Sequence, residues 1–297
     1  MICNLCPRRC GAARTASEGA GACRMPAGIV AARAMLHRWE EPCLSGTRGA
    51  GCVFFSGCNL GCVYCQNAAI SRENFGKTVS PARLREIFNE LIARGAHCID
   101  LVTPMHFTPW ILEALEESPE KPLGVPVVWN SGGYESVETL RMLQGKVQVY
   151  LPDLKYADAA LAAELSRAPD YFETAKAAVD EMFRQTGPYR IGEDGIAQSG
   201  VIIRHMLLPG QLENTRRVID YVAARFRPGE VLFSLMSQYT PPSGALVAAG
   251  APARRVTGAE YRAAVEYMEA CGIRDGFVQE RSSAKEEYTP DFDLSGL

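Results

Sequence analysis

The sequence lacks any uncharged apolar run of membrane-spanning length, and residues 1–30, with their cysteines, arginines and a Met-Pro pair, hold no apolar export-signal core. These absences predict a cytoplasmic protein with no membrane partner. Charge of one sign is lacking too: a formal net charge of -3 supplies no basic field for nucleic acid, and no lysine cluster suits an anionic membrane surface. Internal repeats, low-complexity tracts and a clear second linker are missing. What remains is a globular chain of 297 residues, 47% of them hydrophobic, with ample material for one large core or two small ones.

Cysteine, by contrast, is plentiful. There are 11, an odd number, and seven fall in two tight clusters, which in a chain without an export signal points to metal ligation rather than a disulfide framework. The chain is organised around residues Gly57 to Cys65, G-C-N-L-G-C-V-Y-C, where Cys58, Cys62 and Cys65 are spaced C-x3-C-x2-C on a loop after the apolar run Cys52 to Phe55. Three thiolates this close can hold three irons of a four-iron cluster and leave the fourth open to chemistry. A structural zinc would want a fourth ligand at short range, and none follows before the polar stretch Gln66 to Lys77. Three buried or paired cysteines would not need Gly57 and Gly61 to wrap backbone round a ligand.

The second cluster is Cys3, Cys6, Cys10 and Cys23, spaced C-x2-C-x3-C-x12-C, with Pro7, Gly11, Gly19 and Gly21 making the turns. So short a segment has little core of its own, so a metal must fold it. Zinc and an auxiliary iron–sulfur cluster both suit four cysteines; nothing in the segment demands redox activity, which inclines the reading to zinc. Cys43, Cys52, Cys98 and Cys271 lie in or beside apolar stretches and read as small buried hydrophobes.

Residues 27–50 read as a connector: the apolar Ile29 to Leu36, then His37-Arg38-Trp39-Glu40-Glu41-Pro42 as a solvated turn, then a Gly/Ser/Thr-rich segment. From residue 51 short Val/Ile/Leu-rich runs alternate with helix-like segments, the pattern of βα units with a parallel sheet. The strands fall at Cys52 to Ser56, Cys98 to Thr103, Val125 to Asn130, Val147 to Leu151, Val201 to Leu207, Val231 to Met236 and Gly276 to Val278. Helices are expected at Pro81 to Ala93, opened by a Ser80-Pro81 capping pair, and at Pro109 to Glu117, Ser136 to Leu143, Tyr171 to Gln185, Glu213 to Phe226 and Ala259 to Ala270. Residues 187–200 read as a surface loop. Right-handed crossovers would curl such a series into a barrel or partial barrel with functional residues at the C-terminal strand ends.

The Gly57 to Cys65 stretch, with the aromatic Tyr64 before the last cysteine, resembles the cluster motif of the radical S-adenosylmethionine (SAM) superfamily. Within it the chain is similar to pyruvate formate-lyase-activating-enzyme-like proteins, from Cys-Asn-Leu-Cys-Pro-Arg-Arg-Cys at residues 3–10 through the C-terminal apolar strands. The resemblance implies an α/β fold with a partial (β/α)6 barrel over residues 51–297 behind a cysteine-rich segment at residues 1–50. It also implies a [4Fe-4S] cluster on Cys58, Cys62 and Cys65, with SAM chelating the open iron beside Tyr64. The strand ends would hold the rest of SAM. Related enzymes carry Gly-Gly-Glu for the amino group where this chain has Thr103-Pro104-Met105-His106, so Thr103 or His106 would substitute, unless His106 is a plain structural donor. Asn130, in a stretch similar to a Thr-Asn-Gly strand end, would bond the cofactor. Asp153 and Lys155 match an Asp-Leu-Lys element and alternate onto one side, where they suit a zwitterion, a monovalent cation or merely each other. Arg204, within an apolar strand, needs a carboxylate such as that of SAM. Gln238 either meets adenine or is a core amide, and a like Glu-Glu-Pro-Cys segment in similar proteins turns Glu40 or Glu41 toward the cavity.

For function, the resemblance implies reductive cleavage of SAM to a 5′-deoxyadenosyl radical, with an external electron donor such as flavodoxin or ferredoxin. The leading expectation is hydrogen abstraction from a protein or peptide, as glycyl-radical activases do. The others are radical modification of a small metabolite, and a non-catalytic iron–sulfur electron carrier or metal-binding interaction protein.

Overall fold

In the computed structural model the described residues are 1–116, 123–242, 244, 247, 250–279 and 290–297. Seven strands run parallel in one sheet in the order β4 (Ala50–Phe55), β6 (Ile99–Val102), β7 (Val127–Ser131), β8 (Val149–Pro152), β10 (Ala197–Met206), β11 (Leu232–Met236) and β12 (Gly276–Val278). Helices connect them as the alternating pattern requires, and no pairing among the described residues joins β12 back to the opposite edge. The result is the expected α/β partial barrel. Its helices start where local chemistry says they should: Ser80 accepts from the Arg83 N–H ahead of Pro81–Ala93, and Thr257 and Glu260 form a reciprocal capping box at Gly258–Ala270. The expected Pro109 helix runs Thr108–Glu116, and its last expected residue, Glu117, lies outside the described residues.

Alternation along the strands sorts side chains into two cores. Val53, Phe55, Leu101, Trp129, Tyr150, Ile203 and Phe233 face the helices, while Cys52, Phe54, Val128, Leu151, Ile202 and Leu232 line the concave side. Register then sets the site, because Asp100 pairs with Cys52 and with Val128, and Arg204 pairs with Ser234 and bridges to Asp153.

Two expectations are corrected. Residues 27–50 are not a connector: β3 (Ile29–His37) joins the sheet antiparallel to β4, with β5 (Lys77–Val79) outside it, so the sheet begins ahead of residue 51. The rest of that segment turns into the concave face, where His37 and Glu41 are buried and the short helix Pro42–Ser45 buries Cys43, Leu44 and Ser45. Arg38 and Trp39 stay exposed, while Glu40 turns inward to Arg204, a partner remote in sequence. The loop at 187–200 is likewise partly a hairpin, with β9 (Arg190–Ile191) paired to the start of β10. The N-terminal segment adds a ribbon of β1 (Ile2–Cys3) and β2 (Ala12–Ala13).

Candidate functional site

The cysteine loop leaves β4 at Ser56 and is pinned from below. A Cβ at Gly57 (φ 79°) would sit 2.4 Å from Met25 Cγ and 3.1 Å from the Cys23 carbonyl, so the N-terminal segment packs directly on the loop. Polar hydrogens are aimed at all three sulfurs: Leu60 N–H at Cys58 (3.4 Å), the Ser166 hydroxyl at Cys62 (2.9 Å) and the Ser71 hydroxyl at Cys65 (3.3 Å). In the bare chain burial, then the neighbouring Cys62, push the Cys58 thiol up to about 12, and burial followed by Cys62 also raises Cys65. Clustered sulfurs that repel one another as thiolates, yet are surrounded by donors, suit a bound iron–sulfur cluster, which supplies the missing positive charge.

Cys62, Tyr64 and Cys65 open onto a cavity of about 800 Å³, which Asn130, Asp153, Lys155, Arg204 and Gln238 also line. Its floor is a charge network. Arg204 donates from Nε to Asp153 (2.8 Å), from Nη1 to Glu40 (3.3 Å) and from Nη2 to the side-chain Oδ1 of Asn130 (2.6 Å). Lys155 donates to the other Asp153 oxygen (2.5 Å), and Asn130 donates on to Asp100 (3.2 Å). Burial works to raise Asp153, but Arg204 and Lys155 outweigh it and hold the carboxyl low. Burial instead wins at Glu40, Glu41 and Asp100, all raised. Gly133 lets the Asp153 segment approach, since a Cβ there would lie 2.1 Å from the Asp153 carbonyl.

Arg204 therefore finds its counter-charges within the chain, where the sequence reading assigned it the carboxylate of SAM. Arg204 still lines the cavity, whereas Thr103 and His106 lie away from it, His106 as the structural donor of the alternative reading. Thr103 takes a left-handed turn (φ 62°) and bonds backbone to Asn130, and His106 is buried with Nε2 bonded to the Ser56 carbonyl at 2.7 Å. Glu40 and Glu41 line the cavity, as the Glu-Glu-Pro-Cys likeness implied, and Ser234 and Met206, which the sequence reading did not name, line it too. Asp100 beneath it was legible in principle, because a lone carboxylate in the run Ile99–Val102 is rarely buried without a role.

The displaced histidine carries a stability consequence. Burial pulls both His106 and His205 down to about 4, so each stays neutral in the fold while an unfolded histidine gains its proton near pH 6.5. Their contribution is whole above about pH 6.5 and is lost as pH falls to 4, by up to about 3 kcal/mol each. Urea midpoints measured from pH 7 to pH 4 are expected to fall, less steeply in His205→Gln.

The N-terminal cysteines lie near enough to feel one another's charge. Burial is the main cause raising the Cys6 and Cys23 thiols, with the neighbouring cysteines adding to it, and Arg14 Nη1 lies 3.7 Å from Cys3 Sγ. A Cβ at Gly21 would lie 2.9 Å from Cys10 Sγ, so a glycine is needed there.

The sequence model described as the Radical SAM superfamily matches residues 52–222. The uncharacterized protein MJ0674 of Methanocaldococcus jannaschii is 29% identical over 245 residues, covering 80% of this chain, which spans 66% of that protein's length. Among solved structures, Streptococcus suis SuiB bound to precursor peptide SuiA is 14% identical with a TM-score of 0.50, over 75% of this chain and 46% of that one. HydG, a maturase of the [FeFe]-hydrogenase, is 13% identical with a TM-score of 0.50, over 78% and 52%. At these identities the two structures show a shared fold. Among the described residues, no helix is long and apolar enough to cross a membrane.

Proposed function

The chain belongs to the radical SAM superfamily of enzymes, and we propose that its cavity binds SAM against a [4Fe-4S] cluster on Cys58, Cys62 and Cys65 and directs a radical at a protein or peptide substrate. When bound, the reduced cluster supplies one electron to the SAM sulfonium, yielding methionine and a 5′-deoxyadenosyl radical that takes a hydrogen atom from the substrate. The observation that carries the reading is the opening of Cys62 and Cys65 onto the same cavity as the Asp153–Lys155–Arg204 network. This chain's residues bind and exclude. The Lys155 ammonium and the carboxylates of Glu40, Glu41 and Asp153 face a zwitterionic cofactor with both signs of charge, while Met206, Met236 and Tyr239 keep water from the reacting centre. Glu40 and Glu41 are placed to meet the amino group that Thr103 and His106 do not reach.

SuiB, with its bound precursor peptide, supports a peptide substrate. A volume of about 800 Å³, within the usual range for small-molecule sites, supports the second reading, modification of a small metabolite. An external electron donor such as flavodoxin or ferredoxin would reduce the cluster. The test is anaerobic incubation of reconstituted, reduced protein with SAM, first alone and then with candidate peptides and metabolites. Formation of 5′-deoxyadenosine is expected, accelerated by one class. Its absence would leave only a metal-binding scaffold.

For Cys3, Cys6, Cys10 and Cys23 the proposal is a structural zinc. Protein analysed before iron reconstitution is expected to hold one zinc per chain, lost with unfolding of residues 1–27 in Cys6→Ser. Zinc-free protein with more than four irons after reconstitution would identify an auxiliary cluster instead.

A further inference from the structure

Behind Cys62 runs a buried chain of hydroxyls that the proposed chemistry does not use. Ser166 Oγ donates to Cys62 Sγ at 2.9 Å, Tyr156 Oη lies 2.7 Å from Ser166 Oγ, and Tyr64 Oη lies 2.7 Å from Tyr156 Oη. With the Ser166 proton committed to sulfur, the Tyr156 proton must serve the second contact and the Tyr64 proton the third. Three O–H dipoles therefore align head to tail toward one cysteine sulfur, an arrangement in which each bond strengthens the next.

The chain is held rigidly. Ser166 ends the helix Ala159–Ser166, is 1% exposed, and is followed by Arg167 in the left-handed conformation (φ 52°). Val63 N–H bonds the Leu165 carbonyl (2.9 Å), tying the cysteine loop to that helix end. Arg8, from between the N-terminal cysteines, donates to the carbonyls of Asn59 (2.7 Å), Ser166 (2.9 Å) and Arg167, so one guanidinium grips both sides. The Tyr156 and Tyr171 rings meet edge-on at 5.2 Å, and Tyr64 meets Tyr239 at 5.9 Å.

We propose that Ser166, backed by Tyr156 and Tyr64, is a positioning residue that raises the reduction potential of the cluster held through Cys62, and that Ser71 does so to a lesser extent at Cys65. The inference rests on the cluster assignment above. Reduction adds negative charge to a cluster and its sulfurs, and a donor aimed at a ligating sulfur stabilises that charge, making the electron easier to accept. The Ser71 contact is longer, 3.3 Å, and part-buried, so its effect is smaller.

The measurement is a potentiometric titration of the reconstituted cluster, followed by electron paramagnetic resonance. Ser166→Ala is expected to hold the same iron and to shift the midpoint to a more negative potential. Ser71→Ala should shift it less. Tyr156→Phe, which keeps the ring and removes only the middle hydroxyl, should shift it in the same direction and less than Ser166→Ala, while Ser166→Thr retains the donor and the wild-type value. SAM cleavage by Ser166→Ala should then fall with a mild reductant and recover with a strong one. An assembled cluster whose potential is unchanged or higher in Ser166→Ala overturns the proposal and leaves the cluster assignment standing; failure of Cys58, Cys62 and Cys65 to bind iron overturns both.

Discussion

Cys62→Ala is expected to yield folded protein that fails to assemble the cubane and forms no 5′-deoxyadenosine. Three thiolates are the minimum that holds a four-iron cluster with one iron free, so removing one takes away the site rather than weakening it. Cys62 carries the most: it borders the cavity, and the Ser166 hydroxyl is aimed at its sulfur. The matching control is Cys43→Ala, another buried cysteine, on the concave face near Glu41, for which iron content and SAM cleavage should match wild type. Iron analysis and product chromatography on the pair check the prediction.

Arg204→Met should have the largest effect on stability. It strips the guanidinium from Asp153 and Glu40 and leaves those largely buried carboxylates, with Glu41 and Asp100 behind them, facing one another. Breaking a buried ion pair from one side costs about 3–5 kcal/mol, because the remaining charge stays desolvated. For a chain of this size that corresponds to a fall in Tm on the order of 10 °C. Arg204→Lys keeps the charge but cannot satisfy Asp153, Glu40 and Asn130 together, so it should recover only part of the loss. The double variant Arg204→Met/Glu40→Gln should be less destabilised than the sum of the singles, because one orphaned charge is gone. Thermal melts of the four proteins measure this coupling.

Much of this architecture was legible from the residue order. Short Val/Ile/Leu-rich runs alternating with capped helical segments bury both faces as a parallel sheet under helices, so strand positions and helix starts such as Ser80-Pro81 followed from local rules. The three-cysteine loop was legible because a cluster needs its sulfurs close in sequence, and Asn130, Asp153, Lys155 and Arg204 because parallel strands bring their C-terminal ends to one rim. Strand-end reasoning failed at Thr103 and His106, where a left-handed turn and a bond to Ser56 rotate both away from the cavity. It failed also for residues 27–50, where the apolar run Ile29 to Leu36 forms a strand whose pairing partners, β4 and β5, no local pattern names.

By itself the sequence determined which thiols stand together, that the chain alternates strand and helix, and which charged residues fall at strand ends. These follow from distances of a few residues and from backbone periodicity. Tertiary structure alone decided that Arg204 is neutralised within the chain, that Glu40 is one of its partners, and that Ser166 reaches Cys62 from 104 positions away. Which buried charge meets which, and which hydroxyl meets which sulfur, depends on strand register and on where a connection crosses the sheet. Those are set by packing among residues remote from one another, so no local pattern encodes them.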